Sequence, residues 1–385
     1  MQTFLTKIYL YRFLDAFKLI GVIFALFFSQ SGLDPFQISL LISIWSVTTI
    51  ILEVPMGVFA DKYSRRNLLI IGLVINAIGF GFWMMGGFIN FAIGFVLWGI
   101  KNTLTSGTLE AFVYDELAAF KQEDQYEKVS GRMGGVFSIG LVASAIVGGL
   151  VAEISYNWVL VASVFTTLLA AAILMTIRQV KVVQSTGETK YFEIIKQAVY
   201  QIRNNPALLS VILFICVVFA AFGASDEYWT LIFEQLKFNP RGIGILVAGV
   251  YGLSALAGYT THYYKQSLKA LPYGLVLISG LLFILLGFSK SIWLLPLAFM
   301  AIYLYQVASI KLEAEMQSQI KSSQRATISS IKSLAFELAY MGFVLLFGFA
   351  GGQLGVISIL PIVGVVAIVT TGLFILHKGG FRMRA

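Results

Sequence analysis

Apolar runs of about twenty residues, each separated by a short polar break, dominate the chain. Runs of that length suit membrane-crossing helices. Twelve are predicted, at 7–28, 36–58, 67–86, 89–114, 130–152, 156–177, 207–233, 242–263, 271–289, 291–314, 327–349 and 354–377, called spans one to twelve below. One polar stretch of any length interrupts them, 178–206. There Phe192, Ile195, Val199 and Ile202 recur at helical spacing beside Lys190, Glu193, Lys196 and Arg203, which predicts an amphipathic helix on the membrane surface. The predicted organisation is six spans in 1–177, a cytoplasmic linker at 178–206 and six spans in 207–385.

Composition agrees with an integral membrane protein. Only 12% of the 385 residues are charged, 58% are hydrophobic and the mean hydropathy is +0.85. A soluble domain carries about 25% charged residues. The net charge of +8 would suit a nucleic-acid binder, but its placement argues otherwise. Nineteen of the 27 lysines and arginines fall on one side of the predicted topology, and three, Lys237, Arg241 and Lys290, on the other. The remaining five lie within spans. By the positive-inside rule both termini are cytoplasmic, and no nucleic-acid partner is expected. One cysteine and two histidines leave no disulfide framework and little for a metal site. The first span holds Arg12, Asp15 and Lys18, so a cleavable signal peptide is not expected.

Between spans two and three the chain reads Gly57-Val-Phe-Ala-Asp61-Lys62-Tyr-Ser-Arg65-Arg66. Its four charges force the chain out of the bilayer, which alone would explain a generic stop between hairpin helices. The pattern also resembles the loop signature of the major facilitator superfamily of secondary transporters, with Ser64 where a second glycine is usual. Leu52-Glu53-Val54-Pro55 before it is similar to the family's approach to that loop. Span five reads Gly140-x-x-x-Ser144-Ala145-x-x-Gly148-Gly149, which resembles the family's drug–proton antiporter motif, with Ser144 and Ala145 in its Gly-Pro places. A generic small-residue packing face would read the same way. An internal echo supports duplication: Ser106-Gly-Thr-Leu-Glu110-Ala111 in span four and Ser309-Ile-Lys-Leu-Glu313-Ala314 in span ten lie 203 positions apart. The resemblance implies an all-α fold of twelve transmembrane helices in two pseudo-symmetric six-helix bundles, with a substrate site near the membrane midplane.

Twelve ionisable residues fall within spans, and nine of them lie on spans one, four, seven and ten. A charge at a helix centre costs roughly 2.5–3.5 kcal/mol, so these groups must pair or line water. In the family those four spans line the cavity. The expected substrate or cavity residues are Arg12, Asp15, Lys18, Lys101, Asp226, Glu227, Trp229 and Lys311. Asp15, Glu110, Glu227 and Glu313 are candidates to carry a coupling proton. The other reading makes these groups structural ion pairs, with Arg132 the candidate partner of Glu110. The family's gate implies that Glu53 pairs with Lys332 across the two halves, braced by Asp61 at the start of span eleven. Arg132 is the alternative partner of Glu53. Gly57, Lys62, Arg65 and Arg66 complete the gating motif.

The expected function is secondary active transport of a small organic solute by alternating access, as proton-coupled efflux. The alternatives are proton-coupled uptake and facilitated diffusion of a polar or anionic metabolite. No Walker loop, nucleophile–base pair or pore-lining ring is present, so an ATP-driven pump, an enzyme and a channel are not expected. The expected setting is the bacterial inner membrane, with lipid, a small solute and a proton or other coupling ion as partners, no cofactor, and a monomeric chain.

Overall fold

A computed structural model describes residues 1–178, 199–264, 270–289, 291–320 and 325–382, with side chains at 54, 57–62, 294, 326 and 377–382 left undescribed. Helices account for nearly all of it, and no strand occurs among the described residues. Ten helices are long and apolar enough to cross a membrane. The two spans that do not qualify are one and four. Both carry charges, and both are interrupted.

Span one runs as Gln2–Ala16, a 3-10 turn Leu19–Val22 and a short helix Phe24–Gln30. Span four runs as Phe88–Thr105 and Thr108–Ala119. Taking each interrupted pair as one crossing gives twelve passes. Span seven also departs from a single regular helix. It comprises Pro206–Phe214, a π-helical turn Ile215–Phe219, Ala220–Asp226 and Trp229–Gln235. The apolar periodicity of 7–28, 89–114 and 207–233 gave no sign of these interruptions. Most of the expected surface helix at 178–206 lies outside the described residues.

Local chemistry accounts for the helix starts. Asp34 and Gln37 form a reciprocal capping box, each side chain accepting from the other's backbone N–H at 2.9 and 3.0 Å, directly before span two (Pro35–Lys62). Asn205 Oδ1 accepts from Leu208 N at 3.1 Å, with Pro206 in the first helical position. Ser64 caps span three (Arg65–Met84) through Asn67 N.

The chain divides into two units. One is Met1–Thr186 with Lys237–Gly252, and the other is Gly187–Leu236 with Leu253–Ala385. In the first, Ile8, Tyr11, Leu73, Phe112, Val113 and Leu174 lie in one buried cluster. A second cluster is aromatic: Phe28 meets Trp83 and Phe91 at 4.9 and 4.5 Å between centroids, and Trp83 meets Phe95 at 5.1 Å. Spans three and four cross at Gly79 and Gly94, where a Cβ on Gly79 would lie 3.1 Å from the Gly94 carbonyl oxygen. In the second unit, spans nine (Leu271–Ser289) and twelve (Ile359–Arg382) cross at Gly280 and Gly364 in the same way. Lipid supplies no hydrophobic drive between helices, so close backbone approach through small residues does that work.

Candidate functional site

In the first unit the interruption of span one is the organising feature. Lys18 is extended (φ −92°, ψ 103°), so its backbone leaves the helical ladder. Neighbouring spans satisfy the freed groups. Ser144 Oγ of span five (Tyr126–Ile154) donates to the Lys18 carbonyl at 2.9 Å. Ile20 N donates to Ser163 Oγ of span six (Tyr156–Met175) at 3.0 Å. In lipid an unmet backbone group costs several kcal/mol, so these two serines make the interruption tenable. The motif glycines of span five face the same stretch: a Cβ on Gly140 would meet Ala16 Cβ at 2.7 Å and the Phe13 oxygen at 2.8 Å, and one on Gly148 the Leu19 oxygen at 2.9 Å. Gly149 packs backbone to backbone on Gly244, in the segment of span eight that belongs to the same unit.

The interruption gathers charge. Lys18 Nζ lies 2.9 Å from Asp15 Oδ1, and Lys101 Nζ of span four lies 3.0 Å from the same atom. Arg12 lies 3.9 Å from Oδ2. Asp15, Lys18 and Lys101 are all buried. Arg12 and Lys18 approach Asp15 at i, i+3 spacing along span one, with Lys101 as an added partner from span four.

The motif loop acts through its arginines. Arg65 forms an ion pair with Asp115 and donates to the Ala111 carbonyl at 3.1 Å, tying span three to the second piece of span four. Arg66 donates to the Ile177 carbonyl at the end of span six at 2.6 Å. Asp115 had no place in the sequence reading, because nothing in its local pattern sets it apart from a surface acid. Gly57, Asp61 and Lys62 are described as helix backbone only, so the side-chain contacts of Asp61 and Lys62 lie outside what the structure describes. Glu110 and Arg132 are both exposed, and no ion pair joins them, or Glu53 to Arg132, among the described residues. Lys332 has a partner within its own unit, Glu313, at 3.2 Å.

The second unit holds a cavity of about 310 Å³ lined by Asp226, Tyr305, Gln306, Ser309, Glu313, Lys332, Ser333 and Phe336, among others. Span seven reaches it where its backbone is irregular; Ile215 and Phe219 of the π turn line the wall. Such turns recur at functional positions. The Tyr305 hydroxyl donates to both oxygens of Asp226 at 2.6 and 2.8 Å, and Trp229 Nε1 donates to it at 3.1 Å. Tyr305 is itself fixed by stacking on Phe222, 4.4 Å between centroids. Glu227 accepts from the Tyr340 hydroxyl at 2.7 Å. No cation forms an ion pair with either acid among the described residues. Trp229 is buried between Phe233 and Phe283, so its ring is a packing element and its N–H a clamp on Asp226. Lys311 faces a different cavity, of about 670 Å³, beside His262 and Glu315, and donates to the Tyr264 carbonyl at 2.8 Å.

The span four and span ten echo diverges structurally. Gly107 adopts φ +69°, which ends one helix and starts the next. Its counterpart is Ile310, and span ten (Leu295–Ser318) passes through without interruption. Glu110 therefore sits in the exposed first turn of a new helix, whereas Glu313 sits inside a continuous one.

Known proteins give a consistent picture. The family model of the Major Facilitator Superfamily matches residues 10–341. The "Uncharacterized MFS-type transporter YxaM" of Bacillus subtilis (strain 168) is 23% identical over 272 residues, covering 67% of this chain and 65% of that protein. The quinolone resistance protein NorA of Staphylococcus aureus is 20% identical over 277 residues, covering 71% of this chain and 70% of its own. Among solved structures, the nucleoside transporter NupG superposes with a TM-score of 0.79 at 14% identity, covering 98% of this chain and 99% of its own. The D-xylose-proton symporter does so with a TM-score of 0.72 at 13% identity, covering 97% and 96%. With the matched model spanning most of the chain, and with helices and fold in agreement, this multi-pass membrane protein belongs to the Major Facilitator Superfamily and is a transporter of that family.

Proposed function

We propose that the chain moves a small organic solute by alternating access and couples that movement to a proton carried on Asp226 and Glu227. The carrying observation is their setting. Both acids meet phenol hydroxyls, Asp226 also meets an indole N–H, and no cation pairs with either among the described residues. A tyrosine hydroxyl can donate to a carboxylate and accept from a carboxylic acid. Each acid can thus gain or lose its proton and keep its partner. Asp15 and Glu313 sit in ion pairs instead, which suits anchoring better than proton exchange. Efflux is the direction proposed. It is supported by the span five motif and by the similarity to a quinolone resistance protein, and uptake is its competitor. The bacterial inner membrane, inward termini and a monomeric unit complete the proposal. The charge asymmetry supports the orientation.

The test uses proteoliposomes and an imposed pH gradient. Asp226→Asn and Glu227→Gln are expected to reduce gradient-driven accumulation by roughly tenfold or more, a typical size for coupling between two sites. Exchange of solute at equal concentration on both sides should persist. Undiminished gradient-driven transport in both variants would remove these acids from the coupling step.

A further inference from the structure

Arg12 has no hydrogen bond to a carboxylate among the described residues. The nearest carboxylate oxygen, Asp15 Oδ2, is 3.9 Å away, beyond hydrogen-bond reach. Its Nε is buried and donates to nothing among the described residues. The guanidinium carbon lies 4.3 Å from the centroid of the Phe137 ring, which orients the group without using its N–H donors. Asp15 is already held by both lysines. Three cations thus gather at one carboxylate, a surplus of two positive charges, with both lysines buried and the Arg12 side chain 19% exposed. Glu110, the next acid on span four, is exposed and forms no ion pair with any of the three among the described residues. The Tyr11 hydroxyl is also buried without a hydrogen-bond partner among the described residues.

An ionisable group within a span pairs or faces water, and this surplus of positive charge favours an anion in the space that Arg12 faces. A cationic solute would be repelled here, and a neutral one would leave the guanidinium unmet. We propose that Arg12, with Lys18 and Lys101 behind it, receives an anionic group, so that the transported solute is an organic anion bearing a carboxylate, sulfonate or phosphate. The planar guanidinium matches such groups with two parallel hydrogen bonds. Asp15 is the fixed counter-charge that keeps both lysines in place when the solute is absent. This inference rests on the transport reading above and adds the class of solute to it.

Thermal unfolding of the purified full chain in lipid nanodiscs tests it with benzoate, benzenesulfonate and phenyl phosphate against benzamide and benzylamine. The anions are expected to raise the unfolding temperature by about 2 °C at ten times their dissociation constant, and the neutral and cationic probes to do nothing. Arg12→Gln should need at least roughly tenfold more anion for the same shift, the loss of a charge-assisted hydrogen bond, while Arg12→Lys retains most of the response. Equal shifts from benzamide, no shift from any of the three anions, or an unchanged response in Arg12→Gln would overturn the inference. If Arg12→Gln does not fold, the wild-type contrast between benzoate and benzamide decides alone. Solute exchange in proteoliposomes separates the two readings. Exchange of the neutral or cationic probe but of no anion keeps the transporter and discards the anion. Anion binding with no exchange of any probe supports the receptor and counts against transport.

Discussion

Asp15→Asn is expected to be the most damaging single replacement in the chain. Asparagine preserves the shape and one acceptor oxygen but removes the charge that holds Lys18 at 2.9 Å and Lys101 at 3.0 Å. Removing one partner of a buried ion pair costs about 3–5 kcal/mol, and here two lysines lose their counter-charge together. The backbone suffers as well, since Lys18 is the residue at which span one leaves its helix. The expected outcome is a large fall in monodisperse protein recovered from membranes and a melting temperature lowered by several degrees. A compensating change should recover part of the loss. Asp15→Asn combined with Lys101→Met removes one stranded cation and is expected to be more stable than Asp15→Asn alone. Single and double variants that melt together with the wild type would show that the cluster contributes nothing to folding.

Gly140→Leu is expected to rank second. A Cβ at that position falls 2.7 Å from Ala16 Cβ and 2.8 Å from the Phe13 oxygen, and neither can swing aside because one is a methyl group on a helix and the other is backbone. Overpacking costs roughly 1–3 kcal/mol in a well-filled core, and a full leucine has no pocket to enter. Spans one and five must separate, which also draws Ser144 away from the Lys18 carbonyl. Loss of transport together with lowered stability is the expected result. Gly135→Leu, five residues earlier on the same span with nothing within 4 Å of its Cβ position, is the control and should be near neutral. Equal behaviour of the two would mean that span five is not tightly seated on span one.

The contrast between these residues shows what could be read from one dimension. Apolar length revealed the crossings, because lipid demands continuous hydrocarbon over a fixed thickness. The family motifs pointed to spans two, three and five. The i, i+3 spacing of Arg12, Asp15 and Lys18 gave half of the cluster. Its other half, Lys101, arrives from another span, and no local rule pairs it with Asp15. The interruption at Lys18 has only Gly21, inside the 3-10 turn, to announce it. It is stabilised by Ser144 and Ser163, which are distant in sequence. The Tyr305 and Tyr340 clamps on Asp226 and Glu227 were missed for the same reason, since a tyrosine in an apolar helix reads as packing. The Arg65–Asp115 tie was half visible, through the motif arginine but not through its acid.

Gly107 has nothing within 4 Å of its Cβ position, yet its φ of +69° is one that L-residues avoid. The restriction there is one of chirality, not of room. D-Alanine placed at 107 by chemical ligation should be accommodated without complaint, whereas L-alanine should press the two helical pieces toward one rod, as Ile310 does in span ten. The mirror-image pair isolates the bend itself, free of any change in volume, as a variable that transport assays can read.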